Sequence, residues 1–169
     1  MSAGGLFIVP AVTATITGYG VGLFIHILAV VVGLGTTFGY GFFMAFAERN
    51  APRSIPAVYR ASQLSDRFLV TPALIVILVA GIYLLSDGPY SASDSWVSVG
   101  FLAILILFGM IHGYLGPRTR KGIEVAERDL ASGDTLSPEF EAISRQLRIG
   151  GQIAGLVIAV TIFFMTVKP

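Results

Sequence analysis

The stretch GVGLFIHILAVVVGLGTTFGYGFFMAF, residues 20–46, carries no Lys, Arg, Asp or Glu and a single histidine, His26. At the helical rise of about 1.5 Å per residue, these roughly 27 residues reach about 40 Å, beyond the ~30 Å hydrocarbon core of a bilayer. The run reads as a first transmembrane helix and decides the class of the chain. Over 169 residues, 54% are apolar and 12% charged, with mean hydropathy +0.80, a balance foreign to soluble globular domains. The absence of cysteine excludes a disulfide framework, a thiolate metal site, a covalently attached c-type haem and a thiol nucleophile.

Three more apolar runs follow, at 68–85, 96–116 and 149–167, so residues 20–169 read as one all-α, four-transmembrane-helix domain. Before it lies an apolar N-terminal segment, 1–19. Its first eighteen residues have no Lys or Arg, and so no basic region of a secretory signal; the segment is expected to be retained. Pro10 and the threonines Thr13, Thr15 and Thr17 interrupt it before it can span, which points to a segment on the membrane surface or against a neighbour.

The connections give the orientation. Loops 47–67 and 117–148 contain every Lys and Arg except Lys168, whereas the loop around Asp87, Gly88, Pro89 and Asp94 contains none. The positive-inside rule then places both basic loops in the cytoplasm and both termini outside. Ser137-Pro138-Glu139 is a good helix start, so the third and fourth helices are expected to extend on the cytoplasmic side and turn between Ser132 and Thr135. Pro56 suits the opening of a helix leading toward the second span. There Pro72 falls either in the first turn of a helix restarting near Ser65, or at a kink in a continuous one.

Stepping along helix 1 by threes and fours gives Gly22, His26, Ala29, Gly33, Thr37 and Tyr40, a narrow face of small or polar side chains. Small residues let helix backbones approach, so this face is expected to be packed against a helix of this chain or of another protein. Gly109 and Gly113 in helix 3, and Gly151 and Gly155 in helix 4, carry the same expectation.

The two histidines are the ionisable groups inside the spans. His26 reads either as a neutral ring bonded to a carbonyl or hydroxyl of a facing helix, or as a haem or metal ligand. His112, near the basic boundary, reads first as an interfacial side chain reaching water. His26 lies about 10 Å toward the outside of its helix centre and His112 about 9 Å toward the inside of its own. Trans axial nitrogens on one iron sit only about 4 Å apart, so the two cannot share one haem.

The elements Ile25-His26-Ile27-Leu28-Ala29, Asp66-Arg67-Phe68-Leu69-Val70-Thr71-Pro72-Ala73, His112-Gly113-Tyr114-Leu115-Gly116-Pro117 and Val167-Lys168-Pro169 give the chain its resemblance. It is similar to a bacterial four-helix integral membrane family of unknown function, itself distantly similar to HemJ-type protoporphyrinogen oxidases and CopD-type copper-resistance membrane proteins. The HemJ-type resemblance implies b-type haem held by a helix 1 histidine, which His26 matches, together with a lysine early in helix 3. Here that region reads Val99-Gly100-Phe101, and no span contains a lysine. The copper role implied by the CopD-type resemblance finds no soft-ligand cluster, because Met1, Met44, Met110 and Met165 are dispersed.

No carboxylate lies within a span away from its edges, and no phosphate-binding or dinucleotide fingerprint is present. The basic loops are explained by orientation and by lipid headgroups; nucleic acid is not implied. The first expectation is a non-enzymatic membrane subunit that packs in a larger assembly, such as an electron-transfer complex, or with further copies of itself. The second is a haem-binding redox protein with His26 as axial ligand.

Overall fold

The computed structural model describes residues 17–169, so the expected N-terminal segment lies, through residue 16, outside the described residues. Six α-helices form four rods: α1 (Gly18–Asn50), α2 (Ile55–Ser65) running on into α3 (Thr71–Asp87), α4 (Ser95–Gly109) running on into α5 (Gly116–Ser132), and α6 (Pro138–Val167). Among the described residues there is no strand. The rods alternate in direction, and each contains a window apolar enough to cross a bilayer, of which no more than 28% is buried within the chain. Phe24, Val31, Leu105 and Leu156 are therefore left for lipid, the arrangement that a hydrocarbon solvent requires. The spans 20–46, 68–85, 96–116 and 149–167 fall one in each rod.

Both joints within the second and third rods are π-helical, at Asp66–Val70 and Met110–Leu115. Each immediately precedes a helix whose second residue is proline, Pro72 or Pro117. A proline ring removes one N–H and crowds the preceding turn of an α-helix. Here the turn is widened: Thr71 N–H donates to Asp66 O and Gly116 N–H to Ile111 O, five residues back in each case. The second rod thus neither restarts at Ser65 nor breaks at Pro72; it continues through one wide turn.

Two apolar cores stack along the bundle. The membrane core gathers Leu34, Val70, Leu74, Ile77, Leu107 and Ile158, and the core of the basic end gathers Ala47, Tyr59, Ile123, Val125, Phe140 and Leu147. The second core explains why α2 and α5 extend beyond the spans: they pack on each other and on the first turns of α6.

Asp129 closes the α5–α6 turn. It accepts from Ser137 N–H at 2.8 Å and from Arg128 at 2.8 and 3.1 Å. Hydrogen bonds from Ser137, then from Arg128, hold its carboxyl down at about 2, against 3.8 for a free side chain. A carboxyl lowered on folding stabilises above its unfolded value, and that contribution is lost as pH falls through the folded one. Protection of the Ser137 amide, measured against its intrinsic exchange rate, should fall as pH drops from 3.8 to about 2, and Asp129→Asn should remove that step. An unchanged pH profile in the variant would refute the assignment.

Candidate functional site

In the half of the bundle away from the basic loops, called the outer half for its place in the fold, α1 packs closely along α3 and α4 along α6. Small side chains make these seams close. Gly22 lies under Tyr83 and Leu84, Gly33 meets Ala73, and Gly100 lies against Met165. Between the two pairs the bulkier Leu23, Leu78, Phe101 and Ile162 leave a cavity of about 440 Å³. That volume is within the usual range for small-molecule sites, about 300–1,000 Å³.

The wall is almost wholly apolar, with one imidazole in it. His26 Nδ1 lies 3.1 Å from the carbonyl oxygen of Ile77, on α3. A carbonyl only accepts, so Nδ1 carries the proton, and in the neutral ring the bare nitrogen is Nε2. The ring lies over Gly81, where an added Cβ would be in van der Waals contact with His26 Cε1 at 3.5 Å. The bond to Ile77 is the first of the two readings open to His26 from sequence, and it leaves the second nitrogen uncommitted. His26 thus offers the cavity a Lewis base and hydrogen-bond acceptor, not a donor.

The outer mouth is polar and aromatic. Tyr19, Tyr90, Trp96 and Lys168 line it. Lys168 Nζ donates to Tyr90 Oη at 2.7 Å and sits 4.2 Å from the Tyr90 ring centre and 5.0 Å from that of Trp96. Its backbone takes a left-handed turn, φ 51°, which ends α6 and turns the chain toward α4, where Ser95 Oγ donates to Pro169 O at 3.0 Å. An apolar chamber with a cationic, hydroxyl-bearing rim suits an amphiphile.

His112 is placed elsewhere. It lies in the second wide turn, exposed, with Nε2 3.1 Å from Thr71 Oγ1, which follows the first wide turn. The Thr71 hydroxyl donates to Asp66 O at 2.6 Å, so it accepts from His112 Nε2–H. The Phe108 ring lies 4.4 Å away, centre to centre. His26 and His112 thus bond to α3 at Ile77 and Thr71, about 9 Å apart along the helix, in agreement with the exclusion of a shared iron. Among the described residues, no three His, Asp or Glu side chains group as a metal site.

Of the small residues singled out in the sequence, Gly22, Ala29 and Gly33 are buried, with Gly22 and Gly33 facing α3. Thr37 Oγ1 donates back to Gly33 O at 3.4 Å, and Gly155 meets Phe38 of α1. Gly109, Gly113 and Gly151 meet no atom within 4 Å. Sequence reasoning missed a polar centre at the basic end. There Glu48 Oε1 accepts from Tyr59 Oη and Ser144 Oγ, each at 2.7 Å, and Oε2 from Arg148 at 3.3 Å. An acid beside Arg49 at the end of the first span was visible, but its partners come from two distant helices, Tyr59 from α2 and Ser144 and Arg148 from α6.

These features define a four-helix integral membrane protein with a chamber in the outer half of its bundle. Residues 21–169 match the model of the family described as predicted integral membrane protein (DUF2269), and the chain belongs to that family. No curated protein and no solved structure matches it.

Proposed function

We propose that this chain is a haem-binding membrane subunit, with His26 Nε2 as an axial ligand to a b-type haem in the outer chamber. The observation that carries the reading is the His26 Nδ1–H···O=C bond to Ile77, which orients the ring and leaves Nε2 as a free lone pair in an apolar wall. Metal-binding histidines characteristically donate their other nitrogen to such a carbonyl or carboxylate. The donor set fits the group: an imidazole inside, apolar walls around a macrocycle, and Lys168 at the rim for its carboxylates.

Met165, the thioether in the wall, does not complete the set. It lies about 3 Å from the outer end of α6, whereas His26 is about 12 Å from the outer end of α1, and trans ligands need a separation of about 4 Å. Among the described residues that line the chamber, His26 is the one imidazole that would hold the group. A bound haem would supply one-electron chemistry. The chain itself orients the imidazole, surrounds it with apolar side chains and places a cation at the chamber mouth; no catalytic step is assigned to it. This agrees with the role that the HemJ-type resemblance implies for His26, without the lysine of those enzymes.

The test is spectroscopic. Full-length protein isolated in mild detergent with haem supplied should show a Soret band that His26→Ala removes and His112→Ala retains, with unchanged elution. No band in the parent protein, or a band that survives His26→Ala, would overturn the reading.

A second reading, packing in a larger membrane assembly or with further copies, is supported by Gly109 and Gly113, one helical turn apart with nothing against them among the described residues. Placement in a bacterial inner membrane, with loops 47–67 and 117–148 in the cytoplasm, belongs to both readings. Chemical crosslinking in native membranes should place a second polypeptide against this face; an exclusively monomeric product would count against it.

A further inference from the structure

At the basic end, the seam between α1 and α6 opens into a cleft of about 570 Å³ unrelated to the outer chamber. Arg49 at the end of α1, and Arg145 and Arg148 on α6, line it with Glu48, Glu141 and Ser144. Glu48 is spoken for: Tyr59, Ser144 and Arg148 all donate to it. Among the described residues, Arg49 and Arg145 form no ion pair. Two guanidinium groups thus face a cleft with no anion of the protein bound to them. Guanidinium forks match phosphate oxygens in geometry as well as charge.

The cleft lies where headgroups would be. Arg145 and Arg148 immediately precede the apolar run that begins at Ile149, and Arg49 follows the run that ends at Phe46. Below it, the seam has a gap. Gly155 meets Phe38, closing α6 on α1, but one turn closer to the basic end Gly151 meets nothing within 4 Å and Phe42 is 71% exposed. A cleft with three arginines and two glutamates in its lining therefore opens toward the gap between α1 and α6.

We propose that this cleft binds the phosphodiester of an anionic phospholipid of the inner leaflet, with Arg49 and Arg145 on the phosphate and an acyl chain along the α1–α6 gap. That gap is the reason to assign a lipid over a soluble phosphate. Arginines near an anionic surface each contribute about fivefold to affinity.

Full-length protein in non-ionic detergent, mixed with equal amounts of phosphatidylglycerol and phosphatidylcholine, is examined by native mass spectrometry. The parent should retain phosphatidylglycerol in preference. Arg49→Gln and Arg145→Gln should each cut that preference about fivefold, and the double variant should abolish it. Arg120→Gln, an equally basic site on α5 outside the cleft, should leave it intact. Elution profiles report folding, and because neither cleft arginine holds an ion pair among the described residues, the single variants test the site if the double variant is unstable. Equal retention of the two lipids, or an Arg120→Gln loss as large as that at the cleft, overturns the proposal. Displacement of the lipid by glycerol phosphate at the same concentration overturns the lipid assignment and makes the cleft a soluble-phosphate site.

Discussion

Gly33→Ala should lower the stability of the folded bundle by about 1–3 kcal/mol, the range for forcing an extra group into a packed interior. A Cβ at Gly33 would overlap the Ala73 Cβ, and it would stand 3.8 Å from both the Ala73 Cα and the Val70 carbonyl oxygen. These neighbours are backbone or a methyl fixed to backbone, so no side chain can rotate away; α1 and α3 must separate. Separation would also lengthen the His26–Ile77 bond, which crosses the same seam on the outer side of this contact. Gly33→Ala should therefore weaken any haem signal as well as the fold. The complementary swap is the discriminating control. Ala73→Gly removes the opposing methyl, so Gly33→Ala/Ala73→Gly should recover most of the loss, with a coupling of at least about 1 kcal/mol in detergent unfolding. Additive losses would show that the α1–α3 seam is not the constraint described.

Glu48→Ala should have a still larger effect, about 3–5 kcal/mol, the cost of removing one partner from a buried charged network. The magnitude does not come from the ion pair. Arg148 is 58% exposed, and exposed pairs contribute at most about 1 kcal/mol. It comes from Tyr59 and Ser144, whose hydroxyls lie in the second core and would lose their acceptor; each buried unsatisfied group costs about 1–3 kcal/mol. Burial, then the adjacent carboxylate, raises Tyr59 well above the ordinary phenol value, so its hydroxyl remains a donor throughout the physiological range. Glu48→Gln keeps an acceptor oxygen and should cost less than half as much, while Tyr59→Phe removes a single bond and should cost about 1 kcal/mol. Equal losses for Glu48→Ala and Glu48→Gln in chemical unfolding would assign the effect to charge and refute the hydroxyl account.

The spans were legible because bilayer crossing depends on one-dimensional quantities, run length and missing charge. Residues 20–46 and 68–85 could scarcely be read otherwise. Ser137-Pro138-Glu139 was equally plain, since Ser137 caps its own helix, accepting from Phe140 N–H at 3.4 Å. Other features depend on two elements meeting. Pro72 left a choice between restart and kink, and the wide turn at Asp66–Val70 was a third solution, repeated at Pro117; the repetition of a proline just after a boundary was the available signal. The partner of His26 is a backbone carbonyl, which no side-chain pattern can reveal. The chamber had no signature either, because it results from the unequal separation of two helix pairs.

The wide turns have a further consequence, for the phase of the rods. Each accommodates one residue more than an α-turn, and one residue corresponds to about 100° of rotation around the axis. The inner and membrane portions of the second and third rods therefore present faces that no single helical wheel describes. Shortening Asp66–Val70 by one residue would close the wide turn, press the Pro72 ring on the preceding turn and swing Tyr59 away from Glu48. The register slip, set by a proline at the membrane boundary, is what brings the water-facing core and the lipid-embedded core into alignment in one continuous rod.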